Sequence, residues 1–80
     1  MDPVTVTDRL NRIFQDIFND PNLQVREDMT AKDVPAWDSL THIDLIVAVE
    51  NDFRIRLTTA EVQKLRNVGD FIQLIAKKAS

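Results

Sequence analysis

The 80-residue chain contains no cysteine, which excludes disulfides, thiolate nucleophiles and cysteine-ligated metals. Its single histidine, His42, leaves too few ligands for a zinc site, and no metal-binding residues are expected. Tyrosine is absent and there is only one glycine, a composition that argues against a turn-rich β architecture. No apolar run reaches the roughly 20 residues that a membrane-spanning helix requires. The N-terminus lacks the basic-then-apolar pattern of a secretory signal. A cytoplasmic protein without a membrane span is the expectation.

What is present is ordinary for a globular chain, at 44% hydrophobic and 29% charged residues. Its length predicts one domain over residues 1–80, small enough to bury only about 60–65% of its unfolded surface. Such a body has little room for a deep catalytic cleft. No nucleophile–base pair with an orienting third group can be found, so no catalytic residue is assigned and the chain does not read as an enzyme.

The formal net charge of −3 is unevenly spread. Residues 38–53 carry Asp38, Asp44, Glu50 and Asp52 with no lysine or arginine, whereas residues 54–80 carry six bases and two acids. The overall sign disfavours nucleic acid as a partner. A negative central segment favours a cationic protein surface, because complementary charge steers encounter.

Periodicity predicts an all-α chain, a small bundle of three main helices and one short one, with a long loop between the first two. Val6, Leu10, Ile13, Phe14, Ile17 and Phe18 fall on one helical face and predict a helix over residues 5–19. Thr5 is the candidate cap, with Asp8 three residues on, and Asp20-Pro21 is the stop. Residues 20–37 hold Pro21 and Pro35 and no sustained period. Leu23, Val25, Met29 and Val34 are spaced there as pegs into the core, and a loop of that length is often functional.

The second helix is predicted over 39–53 and carries two apolar rows. Leu45, Val49 and Phe53 form one, with Ile46 and Ala48 beside it, and Leu40, Ile43 and Val47 form the other. The acids between the rows argue against complete burial, so the second row is expected to face a partner. The alternation in Arg54-Ile55-Arg56-Leu57 is too short for a strand. Thr58 and Glu61 form a capping box that opens a short helix to about residue 65. Asn67 caps a last helix whose inner face is Val68, Phe71, Ile72 and Ile75, with Lys77 and Lys78 at its C-terminal dipole.

Asp38-Ser39-Leu40 stands where the loop becomes the acidic helix. On the tripeptide alone, the plain reading is a helix cap, for which serine and aspartate are both favoured. The alternative is that the Ser39 hydroxyl is held out at a helix start for another protein to modify. The stretch from Trp37 through Asp38, Ser39 and Leu40 to Phe53, set in this order of helices and loop, resembles the acyl carrier protein family over essentially the whole chain.

That resemblance implies that Ser39 carries 4′-phosphopantetheine, transferred from coenzyme A by a phosphopantetheinyl transferase, with Asp38 and Leu40 completing the attachment motif. It implies acyl groups held as thioesters and passed among acyl ligases, ketosynthases or acyltransferases. Asp38, Leu40, Ile43, Asp44, Val47 and Glu50 match the family's partner-docking positions, and a monomer is expected. Leu45, Ile46, Phe53 and Ile72 are candidates to line a space for the cargo. His42 is expected to be exposed on the docking face, and Trp37 either anchors a partner or staples the loop to the second helix.

The departures are informative. Pro35-Ala36-Trp37 replaces the glycine that housekeeping fatty-acid carriers place before the motif, and Thr41 and Asn51 stand where many of those carriers have acids. They point to a specialised, free-standing carrier for fatty-acid, lipid or secondary-metabolite synthesis. The alternatives are a helical interaction module of carrier fold without an arm, or an aminoacyl or peptidyl carrier. The Gly-Gly-(His/Asp)-Ser pattern common in peptidyl carriers is missing.

Overall fold

The computed structural model describes residues 1–79 and contains four α-helices and no strand among them. Helix α1 spans Pro3–Ile17, α2 Ser39–Phe53, α3 Thr59–Gln63 and α4 Val68–Lys78, with a single 3-10 turn at Ala31–Asp33 inside the long connection. Three main helices and one short helix are the architecture that the apolar periods predict.

The start of α1 differs from expectation. Asp2, not Thr5, is the cap, and its carboxylate accepts the Thr5 backbone N–H at 2.9 Å and the Thr5 hydroxyl at 3.0 Å. Pro3 explains the shift. Its fixed φ suits the first helical position, and its missing N–H is not needed there, so the helix extends to the proline and the preceding Asp caps it. The end comes at Ile17 rather than at residue 19. Asn19 adopts a left-handed conformation (φ 51°), and the amides of Asn19 and Asp20 return to the carbonyls of Asp16 and Gln15. That Schellman closure, two residues ahead of Pro21, ends the helix.

Val6, Leu10, Ile13 and Phe14 of α1 meet Leu45, Val49 and Phe53 of α2 and Val68, Phe71, Ile72 and Ile75 of α4 in one buried core. Met29 and Val34 plug into it from the long loop, while Leu23 and Val25 are half-buried against its edge. The loop's backbone is also tied down. The Val25 amide donates to Asn11 Oδ1 at 2.7 Å, and Gln15 Nε2 donates to the Leu23 carbonyl at 2.9 Å. At the far end, the Val68 and Gly69 amides donate to the carbonyls of Met29 and Glu27 at 2.9 and 2.8 Å. The chain's one glycine is placed here for a reason: a Cβ at position 69 would stand 2.9 Å from the Glu27 carbonyl oxygen.

Two ties outside the core orient the helices. Arg9 of α1 donates through Nε to Asp52 Oδ2 at 3.0 Å and through its terminal nitrogen to the Asp52 carbonyl at 2.6 Å, while its guanidinium lies 4.5 Å from the centre of the Phe53 ring. Lys78 at the end of α4 pairs with Glu61 of α3 at 2.8 Å and donates to the Arg56 carbonyl at 2.7 Å. The segment 54–57 forms no strand. Arg54 takes the left-handed conformation (φ 56°) that ends α2, and Ile55 and Leu57 turn towards the core.

Candidate functional site

Ser39 is the first residue of α2 and is exposed, and its hydroxyl makes no hydrogen bond among the described residues. Its position is fixed by its neighbours. The Asp38 carboxylate accepts the amides of Leu40 and Thr41, both at 3.0 Å, and the Thr41 hydroxyl accepts the Asp38 amide at 2.8 Å. The same hydroxyl lies 2.9 Å from the Ala36 carbonyl, to which it donates. These contacts make a reciprocal capping box around the serine, so the cap is Asp38 and the hydroxyl of Ser39 is left free. The Thr41 backbone amide first, and its hydroxyl second, hold the Asp38 carboxyl below the ordinary carboxylate range. Thr41 had no site role in the sequence; the Asp-x-x-Thr spacing is the signal that could have assigned one.

Behind Ser39 lies a cleft of about 620 Å³ between the start of α2 and the α3–α4 junction. Trp37, Ile43, Leu65 and Phe71 give it apolar walls, and Asp38 and Arg66 are the charged side chains on its rim. Trp37 is the staple rather than a free anchor. Its ring meets Phe14 edge-on at 5.3 Å between centroids and Phe18 at 6.1 Å, and its Nε1 donates to His42 Nδ1 at 3.1 Å. His42, expected exposed, is half-buried because it stacks on Trp37 at 6.0 Å, and that burial lowers its pKa below the ordinary value. It is committed to the indole and does not contact Ser39 as a base.

The second apolar row is out in solvent. Leu40, Ile43 and Val47 are 74%, 60% and 49% exposed, in contrast to the fully buried Leu45 and Val49 on the opposite side of the same helix. Asp38 and Asp44 are exposed beside that row. Glu50 is half-buried and accepts the Leu57 amide at 2.9 Å, so it shapes the turn after α2 as well as carrying charge. Asp52 is engaged by Arg9, which leaves the helix less anionic than its composition implies.

The four residues expected to line a space for cargo between the helices divide between the core and a surface groove. Leu45, Phe53 and Ile72 are core residues and line neither groove at this end of the bundle, because their row is the one that packs against α1 and α4. Ile46 does line a groove, a shallow one of about 220 Å³ between α2 and α3 shared with Ile43, Val47, Leu57 and Val62. Among the described residues, no cluster of His, Asp or Glu could hold a metal ion. No described helix is long and apolar enough to cross a membrane.

No family model matches the chain. It is 36% identical over 61 residues to the acyl carrier protein of Thermosynechococcus vestitus, covering 76% of this chain and 74% of that one. It is 31% identical over 67 residues to the acyl carrier protein of Acidothermus cellulolyticus, covering 84% and 80%. The solution structure of the holo acyl carrier protein from Geobacter metallireducens superposes with a TM-score of 0.87 at 41% identity, over 91% of this chain and 84% of that one.

Proposed function

Because this chain belongs to the acyl carrier protein family, and is therefore a carrier and not an enzyme, we propose that Ser39 is its point of attachment for 4′-phosphopantetheine. The observation that carries the reading is the exposed hydroxyl of Ser39, unbonded among the described residues and fixed in place by the Asp38–Thr41 box at the mouth of an apolar-walled cleft. These residues fit the group. The hydroxyl is open to a phosphoryl donor, the amides at the start of α2 favour negative charge nearby, and the cleft walls suit an amphipathic arm.

In the attachment step, the bond from Ser39 Oγ to phosphorus forms as the bond from that phosphorus to the nucleotide half of coenzyme A breaks. The serine proton passes to a base on the phosphopantetheinyl transferase, since no hydrogen bond among the described residues joins the Ser39 hydroxyl to a base. When bound, the arm supplies a terminal thiol that holds acyl groups as thioesters. The capping box keeps Ser39 in one position through loading and unloading. Leu40, Ile43 and Val47 form an apolar docking patch, with Asp38, Asp44 and Glu50 as its acidic surroundings, for cationic surfaces on acyl ligases, ketosynthases or acyltransferases. Fatty-acid biosynthesis is the usual role of the family. The Trp37 staple and the partly neutralised α2 support a dedicated lipid or secondary-metabolite pathway for this member.

The test is intact mass after incubation with coenzyme A and a promiscuous phosphopantetheinyl transferase, beside Ser39→Ala. A gain of one phosphopantetheine unit, absent from the variant, is expected. No gain from folded protein with several transferases would leave an interaction module without an arm as the better account.

A further inference from the structure

We infer that Arg66 is a positioning residue for the phosphodiester at Ser39, holding the root of the arm over the cleft between α2 and the α3–α4 junction. The inference rests on the reading of Ser39 just given and goes beyond it to a residue on the other side of the cleft.

The argument begins with charge. A phosphodiester carries one negative charge at neutral pH, and at Ser39 it would stand beside the carboxylate of Asp38 on the preceding residue. Like charges that close repel, and Asp38 cannot be neutralised at small cost while it caps α2 with two amides. A cation near the same rim removes the conflict. Of the side chains lining the cleft, Arg66 is the cation and Asp38 the anion, while His42 is drawn towards its neutral form by burial and by its indole partner.

Arg66 is also free for the task. Arg9, Arg26 and Lys78 are held in ion pairs, whereas the Arg66 guanidinium has no hydrogen-bond or ion-pair partner among the described residues. Its backbone is held instead. The Arg66 amide donates to Asp70 Oδ2 at 3.1 Å, and Asn67 next to it accepts the Asp70 amide at 2.8 Å as the cap of α4. A fixed backbone with an uncommitted guanidinium at a cleft rim is a pre-organised anion site. The planar fork matches two phosphate oxygens better than an ammonium does. Held there, the arm would leave Ser39 along Ile43, Leu65 and Phe71 rather than straight into solvent.

Phosphorus NMR of the loaded full-length chain tests this directly, with the same loaded chain unfolded in urea as the reference for an uncontacted phosphodiester. Wild-type protein at low salt is expected to show a resonance displaced from that reference. Arg66→Ala should lose most of the displacement, and so should wild type at high salt, a comparison that requires no variant. A wild-type resonance coincident with the urea reference, or an Arg66→Ala resonance unmoved from wild type, would overturn the assignment. Intact mass separates the two claims: no mass gain defeats the reading of Ser39, whereas a loaded chain with an unmoved resonance defeats only the role of Arg66.

Discussion

The indole N–H of Trp37 donates to Nδ1 of His42 across 3.1 Å, with the two rings stacked at 24°. That bond requires a lone pair on Nδ1, so it exists only in the neutral imidazole that carries its proton on Nε2. It links the end of the long loop to the first turns of α2, beside Ser39, and through Trp37 to Phe14 and Phe18 of α1 and its cap.

Protonation of His42 should therefore be visible at Trp37, the only tryptophan in the chain. Burial lowers the folded-state pKa below the ordinary 6.5, so the folded state disfavours the charged form. The stability contributed is full above the unfolded value and falls as pH drops below 6.5 towards the folded pKa. A fluorescence titration of the folded protein should show a transition with its midpoint below 6.5, absent from His42→Gln. A midpoint at or above 6.5 would contradict the burial and the bond.

Gly69 makes a prediction opposite to helix propensity. In an exposed helix interior, Gly→Ala gains up to about 1 kcal/mol. Here the new methyl would meet the Glu27 carbonyl oxygen at 2.9 Å, and that carbonyl is held by the Gly69 amide itself at 2.8 Å. Neither side can yield without breaking the tie between loop and α4. Gly69→Ala is expected to destabilise by about 1–3 kcal/mol, the usual cost of overpacking. The urea midpoint measures it, and an unchanged or raised midpoint would show that the loop moves freely at Glu27.

The helices that could be read from the sequence are those whose signals are local. The inner face of α4, the Thr58–Glu61 box and the span of α2 follow from spacing and capping alone, and the structure reproduces them. The start of α1 was ambiguous because Thr5 and Asp8 imitate a capping box, and only the priority of Pro3 at the first helical position decides for Asp2. The turn at Ala31–Asp33 has its own box from Thr30 to Asp33, but no apolar period marked it as an element. Glu50 illustrates the harder case. It reads as one more acid on a docking helix, and its amide partner Leu57 lies seven residues away around a turn that periodicity does not describe. The two apolar rows of α2 were a simpler case, because the acids between them marked Leu40, Ile43 and Val47 as the outward row, and those three are the exposed ones.

Glu61 predicts a specific weakness in acid. Its carboxylate pairs with Lys78 and accepts the Thr58 amide, and these contacts, the Lys78 bond first, lower its pKa from 4.5 to about 2. A depressed carboxyl contributes stability that is complete above the unfolded value and is lost as pH falls through the folded one. Urea midpoints should therefore decline between pH 4.5 and about 2. Asp2 and Asp38 are lowered too and add to the decline, so the informative quantity is the difference from Glu61→Gln, which should narrow across that window. Parallel curves for the two proteins would mean that the pairing of α3 with α4 contributes nothing measurable.

Asp44 offers the cleanest test of docking through α2. It is exposed next to Ile43 and makes no ion pair among the described residues, so changing it disturbs nothing inside the bundle. Glu50 is a poorer choice, since its replacement also removes the acceptor of the Leu57 amide. Asp44→Lys is expected to slow loading by a transferase about two- to fivefold at low ionic strength, because a single exposed pair is worth at most about 1 kcal/mol. The deficit should shrink as salt shortens the screening length to about 8 Å near 0.15 M. A salt-independent loss would indicate a lost direct contact instead of steering, and equal rates for the two proteins at every ionic strength would remove this face of α2 from the encounter surface.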